Sequence, residues 1–315
     1  MSSVNVLIHR RYRAGDYNLI RNFLVGFFHK HQLACFSLDR LNFTSSVSRI
    51  MTRTTEQQWQ DKIGLWLHDG EIQALVISEG EQQGEAFMLL DIDFHHNDNE
   101  TLLNELFEFC DANMSVVDPE SKQPRVRLCV PHGREHCHKQ LQAFGYESAG
   151  WDDVDAFMAL NQRFTVEVAS GYSMISGGQI SPMKRAQAHA KTWGYFDKPE
   201  YDEVRCTQAW AAMTKAPDYI AALDLCAVTD SGEIAAFVTL WLDTVNQLAL
   251  VEPVGTVPEH QRKGLAKALL FEAYNRAKAM GGTRVTVGSD NAFYLALGFE
   301  VTRRYPMFVK TVAPR

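Results

Sequence analysis

Apolar residues recur along the chain at helical spacing in some segments and at strand spacing in others. The order of these segments predicts the order of the helices and strands. After a strand-like start at 4–12, Asp16 is a typical helix N-cap and precedes apolar residues at helical spacing over 19–28. The following segments predict, in order, strands at 63–68, 72–79 and 85–93, a helix at 101–113, a strand at 125–130, a helix at 134–145 and a strand at 155–161.

The second half repeats this order of elements. Ser181 followed by Pro182 marks a helix start, because proline at the first helical position gives up no N–H that the helix needs. The other segments predict a strand at 164–175, a hairpin of strands at 224–229 and 234–243, a strand at 247–257, a long helix at 264–282, a strand at 284–289, a short helix around 292–298 and a strand at 305–312.

Two short internal matches support a duplication. "HDGEIQAL" at 68–75 resembles "DSGEIAAF" at 230–237, and "LQAFGYE" at 141–147 resembles "YLALGFE" at 294–300. The matches occur in the same order at similar offsets, as expected of two copies of one unit. A length of 315 residues also fits two domains. We therefore predict domains at 1–162 and 163–315, without a flexible linker between them.

Composition narrows the classes of function. A formal net charge of −7 disfavours a nucleic-acid-binding protein, because such proteins neutralise many phosphates. No apolar run approaches the length of a membrane span, and the N-terminal charges follow the short apolar piece, unlike those of a signal peptide. The six cysteines are scattered without a CxxC pair, which indicates free thiols in a reducing compartment. We expect a cytoplasmic protein without nucleic-acid or membrane partners.

Residues 253–270, "PVGTVPEHQRKGLAKALL", combine a strand end, a basic turn and a helix start. The first N–H groups of a helix lack intrahelical partners and attract anions. Gly264 lets a phosphate approach the backbone, and Arg262, Lys263 and Lys267 add positive charge. The stretch therefore predicts a site for a diphosphate, although an ordinary strand–turn–helix with solvated basic residues has the same pattern. The stretch contains no GxGxxG motif, so it does not indicate a dinucleotide site.

"PEHQRKGLAKALL" resembles the acetyl-CoA signature of the GNAT superfamily of N-acetyltransferases, with Gln261, Gly264 and Ala266 at its three defining positions. In "YLALGFE", Tyr294 precedes a Gly-Phe pair by four residues, as in that family. The resemblance covers residues 165–315 and, through element order and "LQAFGYE", extends to the first half. It implies an α+β fold of two tandem GNAT domains, each a mixed, mostly antiparallel sheet flanked by helices.

The resemblance also implies a function and a donor site. It implies direct transfer of an acetyl group from acetyl-CoA to a primary amine of a small molecule in a ternary complex, without a metal, by a monomer or homodimer. The alternative is a non-catalytic acyl-CoA-binding sensor or interaction protein with the same fold. The residues expected to bind acetyl-CoA are Val254, Gly255, Thr256, Gln261, Arg262, Lys263, Gly264, Leu265, Ala266, Lys267 and Asn291.

Two residues are candidates for proton transfer. Tyr294 is the candidate general acid, because a phenol stays protonated at neutral pH and can donate to a departing thiolate. Glu252 is the candidate base, because it ends the apolar run "LALV", where a solvated carboxylate is not expected. A core tyrosine and a carboxylate at a strand end would have the same local patterns. Pro253 predicts an edge or a bulge, and Asp243 is a further candidate for orienting a cationic substrate.

The first half departs from the family pattern where the donor would bind. After its strand at 85–93, "FHHNDNETLLNELF" lacks the basic glycine turn and carries acidic residues, and Leu141 stands where Tyr294 stands in the second half. We predict a degenerate first domain without acetyl-CoA. His132 and His136 have the i,i+4 spacing of a zinc pair on a helix, but no second ligand cluster is evident, so surface histidines are the favoured interpretation.

Overall fold

The computed structural model describes residues 7–80, 84–91, 99–130 and 135–313 of the chain. Its strands are β1 (Ile8–Arg11), β2 (Gly64–His68), β3 (Glu71–Gly80), β4 (Glu85–Leu90), β5 (Val116–Val117), β6 (Pro124–Cys129), β7 (Glu147–Ala159), β8 (Tyr172–Ser176), β9 (Asp224–Thr229), β10 (Ile234–Asp243), β11 (Leu248–Thr256), β12 (Arg284–Val287) and β13 (Glu300–Thr311). Its helices are α1 (Tyr17–His31), α2 (Leu38–Phe43), α3 (Arg49–Met51), α4 (Glu56–Asp61), α5 (Asn99–Asn113), α6 (Glu135–Ala143), α7 (Pro182–Thr192), α8 (Glu203–Met213), α9 (Leu265–Ala279) and α10 (Ala292–Leu297).

The first compact unit comprises Met1–Asp155 and Thr302–Arg315. Its strands lie in the order β1, β2, β3, β4, β6, β13, and all neighbours are antiparallel except the parallel pair β4 and β6. Successive strand residues point to opposite faces, so Val76 packs in the core with α5 and Ile77 packs in the core with α1. The sheet is therefore covered on both faces.

The second compact unit is Ala156–Val301. Its strands lie in the order β7, β12, β11, β10, β9, β8, and here the parallel pair is β11 and β12. One face buries Leu269 and Tyr274 of α9 in its main core. On the other face the buried guanidinium of Arg185, from α7, lies 4.0 Å from the ring centroid of Phe237 and 3.6 Å from a carboxylate oxygen of Asp224.

The two units exchange strands at the ends of the two halves of the chain. Ala156–Ala159, the end of β7, pair with β12 in the second unit, whereas Met307–Thr311 of β13 pair with β6 in the first. The sequence assigns the strand at 155–161 to the first half and the strand at 305–312 to the second. The predicted domains divide the chain once, at residues 162 and 163. The compact units divide it twice, between Asp155 and Ala156 and between Val301 and Thr302.

The internal matches occupy equivalent places in the two units. Gly70 lies in the turn before β3 and has a φ of 85°, and Gly232 lies in the turn before β10 and has a φ of 75°. Gly145 and Gly298 follow α6 and α10 with φ of 93° and 101°. A left-handed backbone favours glycine at all four positions. The mixed α+β fold of repeated units is confirmed, but the strand predicted at 164–175 is wrong in length, because only Tyr172–Ser176 pair with β9.

Candidate functional site

Strand β11 carries a bulge in the middle of the second unit. Val238 pairs with Val254 and Leu240 pairs with Val251, so Thr239 on β10 faces two residues, Glu252 and Pro253. This is the arrangement that a proline without an N–H tolerates within a sheet. The bulge predicted from Pro253 is present.

Beyond the bulge, β11 loses its partner on the β12 side. The parallel pairing runs from Leu248 with Arg284 to Leu250 with Thr286, and β11 continues from there to Thr256. The backbone of Val254, Gly255 and Thr256 therefore pairs with β10 on one side only among the described strands. An extended ligand arm can form strand-like hydrogen bonds with the other side.

The turn after β11 leads into α9 through two left-handed residues. Arg262 has φ of 61°, and Gly264, the N-cap of α9, has φ of 76°. A Cβ on Gly264 would meet no atom within 4 Å, so glycine serves the backbone conformation and leaves open space at the helix start. Gln261, Arg262, Lys263 and Lys267 are exposed around this opening, whereas Leu265 is buried in the core and Ala266 is half-buried.

Side chains around the turn fix the position of one cation. The ammonium of Lys263 donates to the hydroxyl of Tyr172 at 2.7 Å, and that hydroxyl lies 2.8 Å from Nδ1 of His260. Gln261 donates to the carbonyl of Thr256 at 3.3 Å, which holds the turn against β11. Tyr172 carries no motif in the sequence, because its role arises from a contact across 91 residues.

A cavity of ≈510 Å³ lies beside the start of α9. Its lining comes from the segment between β7 and β8 and from the start of α9. The lining residues are Thr165, Glu167, Val168, Ala169, Lys263, Gly264, Lys267, Ala268 and Phe271. Lys267 extends over the ring of Phe271, with its ammonium 5.3 Å from the centroid. The cavity thus presents two lysines and the free N–H groups of a helix start, which together suit an anionic group.

The two candidate proton-transfer residues interact electrostatically. Burial, and then the negative charge of Glu252, raise the pKa of Tyr294 above its usual value, so its phenol is protonated at neutral pH. The Tyr294 ring is 9% exposed and packs on Phe293 and Phe299. Glu252 is exposed rather than desolvated, because the bulge carries it out of the apolar run. Of the two interpretations open for Glu252, the carboxylate that faces solvent at a strand end is the one that agrees with the structure.

Asn291 and Asp243 have structural hydrogen bonds. The side chain of Asn291 accepts from the N–H of Phe293 at 2.9 Å and so caps α10. Asp243 is buried at the turn between β10 and β11, where one oxygen accepts from the N–H groups of Val245 and Asn246. The role considered for Asp243 in orienting a substrate does not fit this turn, since its carboxylate already serves as the turn's acceptor.

The parallel ladder of the first unit extends further than that of the second. With the offset of 162 residues between Gly70 and Gly232, Ser78 corresponds to Leu240. The β3–β4 register runs without a bulge through Val76, Ile77 and Ser78 and shifts between Ser78 and Gly80. The parallel ladder continues past Glu85 and Arg127 to Phe87 and Cys129. The position of Leu250, where the parallel ladder of the second unit ends, corresponds to Glu85. The ladder of the first unit therefore extends two residue pairs further.

The histidine cluster considered for zinc falls partly outside the described residues, which exclude His132 and the side chain of His136. Within the described part of the chain, no group of three or more His, Cys, Asp or Glu residues could hold a metal ion. Cys137 of the same cluster is buried in the first unit's core. Of the helices described, none is long and apolar enough to cross a membrane.

Comparisons with known proteins give a consistent result for the fold. Residues 183–299 match the model of the acetyltransferase (GNAT) family. A GCN5-related N-acetyltransferase from Sphaerobacter thermophilus is 18% identical, with a TM-score of 0.62 over 98% of this chain and 96% of that one. A tandem GNAT protein from the clavulanic acid biosynthesis pathway is 13% identical, with a TM-score of 0.60 over 98% of this chain and 100% of its own. No curated protein matches the sequence.

Proposed function

Since this chain is a GNAT-superfamily protein with tandem domains, we propose that its second domain transfers an acetyl group from acetyl-CoA to a primary amine of a small molecule. The observation that carries the proposal is the opening beside β11. There, the chain has in succession the bulge with Glu252, the strand backbone of 254–256 and the basic turn at Gly264. Both neighbouring structures compared above are described as GNAT proteins.

The donor would bind along this opening. The backbone of Val254, Gly255 and Thr256 would pair with the pantetheine arm, since that side of β11 has no described strand partner. The segment from Gln261 to Lys267 would hold the diphosphate with helix-start N–H groups and three exposed cations. Open space above Gly264 and the cavity of ≈510 Å³ fit such a group. Asn291 would contribute to donor binding from the start of α10, which its side chain caps.

When bound, acetyl-CoA supplies an activated acetyl thioester. An N–H near Val254 to Thr256 would bond the carbonyl oxygen, which gains negative charge as the amine attacks. Glu252, directly or through a water, would take the proton of the ammonium. Tyr294 would give its phenolic proton to the sulfur, a role that its raised pKa supports. The transfer is direct, so no residue of the chain becomes acetylated.

We also propose a small-molecule acceptor and a cytoplasmic setting. The acceptor is a small molecule rather than a nucleic acid, in keeping with the net charge of −7. All six cysteines are free and buried, which supports a reducing, cytoplasmic setting. The first domain would act as a scaffold, since its sequence lacks the basic glycine turn that donor binding requires.

One experiment tests the function as a whole. Acetyl-CoA binding is measured by calorimetry, and release of free CoA is then followed with a thiol reagent over a panel of primary amines. The proposal expects binding and amine-dependent CoA release. Binding with no amine-dependent release across the panel would instead favour a non-catalytic acyl-CoA sensor on the same fold, and absence of binding would overturn both.

A further inference from the structure

A buried tryptophan on β10 holds the bulge of β11 in place. Trp241 is 2% exposed, and its indole Nε1 donates to the backbone carbonyl of Glu252 at 2.7 Å. Its own backbone position pairs with Leu250, the last residue of β11 in the parallel ladder with β12. The indole therefore reaches from the regular part of the sheet to the first residue of the bulge.

The bulge creates the need for this hydrogen bond. Thr239 faces both Glu252 and Pro253, so one backbone position of β10 cannot serve both residues as a regular ladder would. A carbonyl that loses its partner in the ladder needs another donor, and the indole N–H, which can only donate, supplies one. The ring is itself held by Tyr219, whose ring lies 6.5 Å away edge-on and whose hydroxyl donates to Asp224 at 2.8 Å.

The first unit provides an internal comparison. At the offset of 162 residues, the position of Trp241 corresponds to Glu79, which has no indole and forms an ion pair with Arg40 at 3.0 Å. The pairing of β3 with β4 is continuous at the place where β10 and β11 have the bulge. The register shift between β3 and β4 lies further along β3, between Ser78 and Gly80, so the place that corresponds to the bulge of β11 has neither an indole nor a bulge.

We propose that Trp241 is a positioning residue for the transfer reaction. By fixing the peptide plane between Glu252 and Pro253, it sets where the Glu252 carboxylate lies relative to the Tyr294 phenol. It also sets the direction of the next available N–H, that of Val254, because Pro253 has none. This inference rests on the proposed function for its catalytic consequence, but the indole contact itself can be tested without turnover.

The test compares two tryptophans of equal burial. Trp241→Phe removes the N–H that binds the bulge, whereas Trp210→Phe removes a buried Nε1 that has no hydrogen-bond partner among the described residues. Both variants lose the same volume from a buried site. Trp241→Phe should lower kcat by about 10-fold to 100-fold, since a shift of about 1 Å in a reacting group has effects of this size. Its KM for acetyl-CoA should stay within about threefold, and Trp210→Phe should change neither constant by more than that.

A second variant removes only the hydrogen bond. Replacing Trp241 by 3-benzothienylalanine keeps the shape of the bicyclic ring but puts sulfur in place of N–H, so it should reproduce the loss of kcat with the fold unchanged. Wild-type kcat in this isosteric variant would overturn the proposal, as would equal losses in Trp241→Phe and Trp210→Phe.

A measurement on the indole separates this proposal from the proposed function. In protein labelled with ¹⁵N-tryptophan, the Trp241 indole resonance, identified by its loss in Trp241→Phe, should shift when acetyl-CoA binds, while that of Trp210 should not. If the wild type binds acetyl-CoA and shows this shift but acetylates no amine, the transfer activity fails and the link between Trp241 and the donor site stands. An unmoved Trp241 resonance in protein saturated with acetyl-CoA would overturn the inference, even in an active enzyme.

Discussion

Phe87 and Cys129 form the last described pair of the parallel ladder between β4 and β6 in the first unit. The corresponding ladder of the second unit ends two pairs earlier, at Leu250 and Thr286. Phe87 is 1% exposed, and it occupies the stretch of strand where the second unit has Glu252 and Pro253. A buried aromatic residue in a continuous ladder leaves no free strand edge for an extended ligand at that point.

We therefore expect one acetyl-CoA per chain. Calorimetric titration should give a stoichiometry near one, because the basic glycine turn that begins α9 has no counterpart in the sequence of the first half. Two equivalents bound with similar affinity would contradict the interpretation of the first unit as degenerate.

Gly264→Glu should abolish acetyl-CoA binding and leave the fold intact. The change puts bulk and negative charge into the open space at the start of α9, where a diphosphate would meet the helix N–H groups. Gly281→Glu is the matched control, because Gly281 follows the other end of the same helix with φ of 94° and equally open space. Binding is measured by calorimetry and folding by circular dichroism. Unchanged affinity in Gly264→Glu would locate the donor elsewhere.

Tyr294→Phe should lower turnover by about 10²-fold to 10⁴-fold, with acetyl-CoA affinity nearly unchanged, because the ring packing stays and only the proton donor is lost. Tyr274→Phe is the matched control. Tyr274 is a buried tyrosine of the same core, and its hydroxyl has no hydrogen-bond partner among the described residues. Equal losses of turnover in the two variants, or loss of binding in Tyr294→Phe, would make Tyr294 a structural residue.

The pH profile of the wild type gives a further check on Tyr294. Burial and the nearby Glu252 raise its pKa above the usual value of about 10, so ionisation of the phenol should slow turnover only above that pH. The basic limb of kcat should disappear or move in Tyr294→Phe. The same basic limb with full turnover in the mutant would leave water or another side chain as the proton donor.

Glu252→Gln should lower kcat by about 10²-fold or more, because the amide keeps the shape of the side chain but cannot accept a proton from an ammonium. The loss should shrink as the pH rises and more of the amine reaches the site already neutral. Glu233→Gln removes another exposed carboxylate of the same unit and should leave turnover unchanged. A Glu252→Gln defect that does not vary with pH would argue against a role as base.

Glu85→Gln should make the first unit more stable at pH 8 than the wild type. Burial, and then Glu79, raise the pKa of Glu85 to about 7, with Asp153 adding to the effect and Arg40 and Arg127 opposing it. The folded chain therefore keeps a proton that the unfolded chain releases near pH 4.5, and stability falls as the pH rises from about 5 to 8. The shift corresponds to about 3 kcal/mol, which partial exposure reduces to about 1 kcal/mol.

Urea unfolding at pH 5 and pH 8 measures this effect. The advantage of Glu85→Gln should appear at pH 8 and vanish at pH 5, whereas Glu71→Gln, an exposed change on the neighbouring strand β3, controls for removal of a charge. An advantage of the same size at both pH values would show that titration of Glu85 is not its source.

Elements with strong local signals were predictable from the sequence. Asp16 and Ser181 stand at the N-caps of α1 and α7 as predicted, and the bulge at Pro253 follows from the missing N–H. Helix α8 was not predicted, although Asp202 as its N-cap and the helical spacing of Cys206, Trp210 and Met213 would have indicated it. The short helices between Leu38 and Asp61 have no long apolar period, so their positions depend on packing.

Features that depend on pairing across the chain were not predictable. The pattern at 155–161 predicts a strand but does not specify the sheet that the strand joins, so the exchange of β7 and β13 needed the structure. The contact of Tyr172 with Lys263 and the link from Trp241 to Glu252 are of the same kind, since no local period encodes either partner. The sequence left the exposure of Glu252 undecided, because the apolar run gave no sign of the turn outward at the bulge.

The exchange of strands sets the order in which the protein can fold as it is made. β6 pairs with β13, which leaves the ribosome only after the strands of the second unit. Until then β6 has an unpaired edge of the kind that invites wrong pairing between chains. Completion of the first unit is thus tied to synthesis of the second, and a gene cut at residue 162 would yield two fragments that each lack a strand.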